Sequence, residues 1–161
     1  MRRFIKLSGG FALGLVIAIC TATSAHAAAP VPFTITEQVN FATGFNTFTA
    51  TGPLCPSGTF VDDVTTFAPN PSSSVIGASG GFNLVIHTVY TCDDGSGTFN
   101  ALKELIGTIS GPDTVTATGP IQLLRGTGAF TDLRGHGVDT GSIDFAAGTA
   151  TGTDTGVVVR S

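Results

Sequence analysis

The chain has no tryptophan, one tyrosine and seven basic residues among 161. Membrane-spanning β-barrels carry girdles of Trp and Tyr at both interfaces, so this composition argues against a barrel embedded in an outer membrane. Good helix formers are also scarce, since residues 28–161 contain no Met, one Lys and two Glu. Thr and Gly dominate instead. This is the composition of an all-β protein with frequent turns.

The first 27 residues have the pattern of a secretory signal peptide. Three basic residues stand within the first six positions, Phe11–Ile19 is apolar, and Ala25-His26-Ala27 matches a small-x-small cleavage site. The apolar run is shorter than the roughly 20 residues that span a bilayer. We therefore expect a secreted protein with no membrane span after cleavage, and a single domain over residues 28–161.

Cleavage would leave an acidic chain. Three of the seven basic residues lie in the signal, so four basic residues would face eleven acidic ones, 4 − 11 = −7. Phosphate backbones are bound by clusters of Lys and Arg. The sequence therefore excludes nucleic acid as a partner.

Two cysteines, Cys55 and Cys92, remain beyond the signal. An exported chain meets oxidising conditions, so the pair predicts one intramolecular disulfide. There is no Cys-x-x-Cys motif, and two cysteines with two histidines are a poor basis for a metal site. We expect no metal and no cofactor.

Alternating apolar and polar residues, separated by Gly, Pro, Asp or Asn, predict seven or eight strands. The clearest is Phe82–Thr91, which has apolar residues on both faces. Only Asn100–Ile106 favours a helix as strongly as a strand. Regularly spaced strands without long helices indicate an eight-stranded antiparallel, calycin-like β-barrel, with a β-sandwich as the alternative. The other predicted strands are Pro32–Gln38, Phe41–Ala50, Thr59–Phe67, Thr114–Leu124, Gly135–Phe145 and Gly148–Val159.

The segment from Leu123 to Val138 is the most distinctive part of the chain beyond the signal. Gly126 and Gly128 allow backbone angles that other residues avoid, and Phe130 can turn inward after them. Gly135 and Gly137 then allow a close approach or bulge in the next strand. These residues predict a compact turn between two strands.

This Gly-Thr-Gly-x-Phe then Gly-x-Gly segment resembles that of the allene oxide cyclase and dirigent protein superfamily and of related secreted bacterial barrels. The resemblance covers about 15 residues. It implies an eight-stranded barrel with an apolar interior, often as a homo-oligomer. The catalytic positions of the plant enzymes have no residue-by-residue match here, so no catalytic residue is assigned.

Several strings imitate catalytic motifs. Gly77-Ala78-Ser79-Gly80-Gly81 matches the Gly-x-Ser-x-Gly motif of a nucleophile elbow, but a strand is predicted after it where the elbow requires a helix. Asp139-Thr140-Gly141 and Asp154-Thr155-Gly156 resemble aspartic-protease motifs, whose two carboxyls must share one proton. Here they would have to meet from adjoining strands, without the two lobes or subunits that supply one motif each in a protease. We therefore interpret both as turn residues.

Other polar residues are candidates for binding. Asp93-Asp94, with Asp62-Asp63 nearby, could supply oxygen ligands to Ca²⁺, although EF-hand spacing is missing. His87, Tyr90 and Arg125 are candidate cavity-lining residues, or surface groups paired with carboxylates.

The sequence supports three hypotheses about function. The first is a secreted barrel that binds a small apolar molecule inside. The second is an isomerase or cyclase of the allene oxide cyclase kind, and the third is a structural or surface module without a ligand. Fold analogy alone cannot decide among them.

Overall fold

A computed structural model of the chain describes residues 29–69 and 81–160. The predicted signal peptide and Ser79 lie outside this range. The described residues form eight strands and one short 3-10 turn: β1 Val31–Asn40, β2 Phe45–Thr51, β3 Ser57–Pro69, β4 Gly81–Cys92, β5 Thr98–Ile109, β6 Thr114–Leu124, the 3-10 turn Gly128–Phe130, β7 Leu133–Asp144 and β8 Thr149–Arg160.

The strands close into an antiparallel barrel. Each strand pairs with its neighbours in the chain, and β1 closes the barrel against β8 from Val31↔Val158 to Asn40↔Thr149. Every strand therefore has a partner on both sides, although β2 and β3 pair only over Thr47–Thr49 and Ser57–Thr59. The eight-stranded barrel is confirmed, and the β-sandwich alternative is wrong.

The structure decides between strand and helix for one segment and shortens another predicted strand. Asn100–Ile106 lies within β5, where its residues alternate between buried and more exposed positions. Strand β2 begins at Phe45 because residues 41–44 form a turn. The Asn40 side chain accepts hydrogen bonds from the backbone of this turn, and Gly44 has a φ of 65°. Within the described ranges, no helix is long and apolar enough to cross a membrane.

One half of the barrel interior is a packed aromatic and aliphatic core. Tyr90 and Phe99 stack with ring centroids 4.6 Å apart, and Phe48 meets Tyr90 edge-on at 5.1 Å. Such pairs add stabilisation beyond the burial of their area. The other large buried side chains of this core are Phe33, Ile35, Phe60, Ile121, Leu123, Phe130, Leu133 and Val158.

The Gly-Thr-Gly-x-Phe segment closes this end of the barrel. Gly126 lies so near the backbone of β5 that a Cβ there would be 1.7 Å from the Thr98 oxygen. Gly128 adopts a φ of 59°, and the Phe130 ring packs 5.3 Å from that of Phe99. The glycines thus permit the close approach that lets Phe130 fill the closed end.

Gly135 and Gly137 of β7 belong to the neighbouring wall. A Cβ on Gly137 would lie 2.1 Å from the Thr155 carbonyl oxygen of β8. A Cβ on Gly135 would lie 2.7 Å from the Val158 side chain. These glycines therefore allow β8 to approach β7 closely.

Cys55 and Cys92 form the predicted disulfide. Cys55 lies between β2 and β3, and Cys92 ends β4, so the bond ties the closed end together. The two cysteines enclose 38 residues, since their sequence separation is 37. Both belong to the buried core.

We expect the double variant Cys55→Ala, Cys92→Ala to lose up to about 4 kcal/mol of unfolding free energy, because the unfolded chain regains the freedom of that loop. Urea denaturation of the oxidised protein and the variant measures the difference. The wild-type protein with reductant is the control and should match the variant. An unchanged denaturation midpoint in both would contradict the prediction.

Candidate functional site

A cluster of ionisable side chains crosses the middle of the barrel interior. Four of the five members are at least nine-tenths buried: Glu37, Lys103, Asp139 and Asp154. The fifth, Asp62, is partly exposed. They come from β1, β5, β7, β8 and β3, respectively. Because inward positions alternate along each strand, widely separated residues meet at one level of the barrel.

Lys103 lies at the centre of this cluster. Its Nζ is 2.6 Å from Glu37 Oε1, 3.0 Å from Asp139 Oδ2 and 3.3 Å from Asp154 Oδ2. A buried charge is tolerated only when it is paired and hydrogen-bonded. One ammonium group therefore holds three carboxyl groups from three strands together.

Tyr90 joins the cluster to the apolar core. Its hydroxyl donates a hydrogen bond to Glu37 Oε1 and lies 3.2 Å from Asp154 Oδ2. Its ring stacks on Phe99 on the core side. Burial, together with the neighbouring carboxylates, raises the pKa of the Tyr90 phenol well above its usual value. Tyr90 is therefore a hydrogen-bond donor and not a phenolate at neutral pH.

The cluster contains four carboxyl groups and one ammonium group, and three of the carboxyl groups have raised pKa values. Burial raises the pKa of Glu37 and of Asp62, although Lys103 opposes both shifts. Burial raises the pKa of Asp154 to about 8, again against Lys103. Burial alone would lower the pKa of Lys103, but the carboxylates of Glu37, Asp154 and Asp139 outweigh it and raise that pKa. Lys103 thus stays charged and cannot act as an amine nucleophile.

Asp139 and Asp154 are directly opposite each other on β7 and β8. Their carboxylate oxygens lie within 4.8 Å of one another. Asp154 Oδ1 is buried without a hydrogen-bond partner, which is costly for an ionised oxygen. The two Asp-Thr-Gly segments do meet from adjoining strands. Their interpretation as turn residues was wrong, because both lie within strands. They meet around a lysine rather than across two protease lobes.

Beyond this cluster the other half of the interior is open. A cavity of about 420 Å³ occupies it, and Glu37, Asp62, Lys103 and Asp139 form its floor. Its volume is in the range of small-molecule sites. Apolar side chains make up much of its wall: Val39, Val64, Leu84, Ile86, Leu105 and Ile143.

Exposed phenylalanines lie at the open end of the barrel, and one of them, Phe41, lines the cavity. All four exposed phenylalanines of the described residues lie at this end: Phe41, Phe45, Phe67 and Phe145. Phe67 also stacks on Phe82 with ring centroids 5.0 Å apart. Exposed apolar residues concentrated in one place indicate a surface that contacts apolar molecules.

Of the three candidate cavity-lining residues, one lies inside the barrel wall and two lie outside it. Tyr90 is inside, beneath the floor of the cavity. His87 and Arg125 are exposed and line a shallow groove on the outer surface together with Arg134. His87 is outside because it alternates with inward-facing Ile86 and Thr88.

The candidate calcium residues do not gather. Asp62 faces the interior and accepts a hydrogen bond from Thr88 Oγ1, whereas Asp63 is exposed. Asp93 accepts one from Ser57 Oγ, and Asp94 accepts one from the Ser96 amide. Among the described residues, only the set Glu37, Asp139 and Asp154 has metal-binding spacing, and Lys103 Nζ already contacts all three.

Sequence reasoning missed the cluster as a unit. Glu37 and Lys103 are not among the residues that the sequence predicts to line a cavity or bind a ligand. The signal was available in the strand pattern, since Lys103 shares the inward phase of Phe99, Ala101 and Leu105. A charged residue at an inward position needs buried partners.

No protein-family model, curated protein or solved structure matches this chain.

We expect Lys103→Met to lose about 3–5 kcal/mol of unfolding free energy at pH 7, because three buried carboxyl groups lose their cation. The loss should shrink at pH 4, because burial raises the pKa of Glu37 and of Asp154 and both can be protonated there. Urea denaturation at both pH values measures it. Arg134→Met, which removes an exposed cation, should change stability by no more than about 0.5 kcal/mol. Equal effects of the two substitutions would contradict the assignment.

We expect the free energy of unfolding to fall as pH rises from about 4 to about 8. The Asp154 carboxyl ionises near 3.8 when unfolded but only near 8 when folded, so the unfolded state releases its proton first. The raised pKa values of Glu37 and Asp62 act in the same direction. Asp154→Asn mimics the protonated carboxyl and should flatten this dependence. Denaturation of both proteins across the range provides the test, and parallel pH profiles would refute it.

Proposed function

We propose that this protein is a secreted β-barrel that binds a small, mainly apolar molecule in its open half. The observation that carries the proposal is the 420 Å³ cavity with apolar walls and a polar floor. Ligand sites typically combine an apolar wall with a few polar groups that orient the bound molecule. The phenylalanines at the mouth provide an apolar surface for its arrival.

The division of the interior supports binding over the ligand-free structural module. A purely structural barrel of eight strands can fill its interior with side chains. Here only the half that contains Phe48, Tyr90 and Phe99 is filled in this way. In the other half, Gly141, Gly152 and Ala117 line the cavity with little or no side chain.

A proton-transferring isomerase or cyclase is the second candidate. Asp139 lines the cavity, and Asp154 behind it has its pKa raised by burial to about 8. A carboxyl that titrates near neutral pH can serve as a general acid or base. This would agree with membership of the allene oxide cyclase and dirigent superfamily, which we keep as a proposal based on the Gly126–Val138 segment.

We expect N-phenyl-1-naphthylamine, a neutral apolar dye, to bind the wild-type protein with increased, blue-shifted fluorescence. Ala117→Phe should abolish this signal because the ring would occupy the cavity. Ala129→Phe makes the same exchange at an exposed position of the closed end and should bind normally. Fluorescence titration of the three proteins gives the result. Binding that is equal in both variants would place the dye elsewhere and overturn the proposal.

Recovery of a bound molecule separates the two candidates. The protein is incubated with a lipid extract in D₂O, and the molecule that co-purifies is analysed by mass spectrometry. An unchanged mass supports a binding protein. Deuterium at carbon in the recovered molecule, lost in Asp139→Asn, supports the isomerase.

A further inference from the structure

We propose that the molecule bound in the cavity carries a protonated amine, whose ammonium group binds the carboxylates of the floor. This inference rests on the proposed binding function and defines the chemical class of its ligand. It identifies the ligand as an organic ammonium ion with an apolar body.

The first support is the charge of the cavity lining. Glu37, Asp62 and Asp139 line the cavity, and Lys103 is the only cation among its lining residues. The Lys103 ammonium is already engaged by Glu37, Asp139 and Asp154 at 2.6–3.3 Å. The floor therefore carries excess negative charge. A ligand carboxylate or phosphate would meet repulsion that no free cation relieves.

The second support is the presence of carboxylate oxygens without a donor. Lys103 and Tyr90 both bind Glu37 Oε1, and no described residue donates to Glu37 Oε2. Glu37 is only 6% exposed, and its Oε2 lies so close to Gly152 that a Cβ there would be 2.8 Å away. Thr88 donates to Asp62 Oδ1, and Asp62 Oδ2 has no donor among the described residues.

An ammonium group fits these oxygens chemically. It has three N–H donors and no acceptor, whereas each carboxylate accepts and does not donate. Charge-assisted hydrogen bonds of this kind are about twice as strong as neutral ones. Burial raises the pKa of Glu37 and of Asp62, because it disfavours their charged forms. A bound cation would favour those forms.

The walls favour an organic cation over an inorganic one. A divalent ion prefers a shell of oxygens and retains its waters, but above the floor the cavity presents Val64, Leu84, Ile86 and Leu105. In addition, Lys103 contacts all three carboxyls with metal-binding spacing. An alkyl or aryl amine satisfies both the floor and the walls.

Calorimetric titration with three eight-carbon probes tests the head group. At pH 7 we expect octylammonium to bind at least about tenfold more tightly than 1-octanol, and octanoate not to bind. Octanol binding as tightly as octylammonium, or octanoate binding best, would overturn the amine proposal while leaving the binding function intact. Failure of all three, with no dye binding either, would overturn both. A melting temperature raised by CaCl₂ without any preference for octylammonium would indicate an inorganic cation and also refute the proposal.

Asp62 provides the sharpest variant, because it lines the cavity without contributing to the three contacts of Lys103. Asp62→Asn keeps an acceptor for Thr88 and should weaken octylammonium binding roughly tenfold more than it weakens octanol binding. Asp63→Asn removes the same charge from the outer face of the same strand and should change neither. Equal weakening by both substitutions would mean that net charge alone attracts the amine, and no weakening by either would exclude the floor as its site.

Discussion

The contact of one buried ammonium group with three carboxyl groups is the interaction on which the barrel interior depends. Lys103 on β5 reaches Glu37 on β1, Asp139 on β7 and Asp154 on β8. Without it, the strands that carry the carboxyls would repel one another in a region of low dielectric. With it, the polar layer separates two interiors of different character. Below it Phe48, Tyr90 and Phe99 make a solid core, and above it the space stays open.

In the binding role proposed above, that division places stability and function at opposite ends of the same strands. The closed end contains the disulfide and the Phe130 turn, and it does not have to change for a molecule to reach the cavity. The open end has excess carboxylate and exposed aromatic rings, both of which reduce stability in isolation. Proteins tolerate such features where binding requires them. In the proposal made above, the acidic floor serves to bind a cationic ligand.

The strands could be predicted from the sequence because alternation and turn residues are local signals. Thr114–Leu124 was predicted with the observed bounds, and Phe82–Thr91 to within a residue at each end. Cys55 and Cys92 could be paired because the expected compartment and their number left one arrangement. The helical alternative at Asn100–Ile106 persisted because its residues are good helix formers, and the ladders to β4 and β6 override that preference.

The site could not be predicted because it depends on register around a closed barrel. Asp139 and Asp154 were recognised as a pair that would need adjoining strands, but nothing local shows that β7 and β8 place them opposite each other. Glu37 and Lys103 are 66 residues apart and meet only across the interior. His87 shows the converse, since one step of strand phase moves a side chain from the cavity to the outer surface.

The closure of β1 against β8 also makes the first and last strands immediate neighbours, with Val31 opposite Val158. All the other ladders join strands consecutive in the chain, so this seam is the one long-range pairing, and its formation has the largest loop-closure cost. The backbone is therefore continuous around the barrel except between β8 and β1. A circular permutant that joins the end of β8 to the start of β1 by a short linker, and breaks the chain in the 145–148 turn, would keep every ladder. Its new chain ends would lie at the mouth of the cavity.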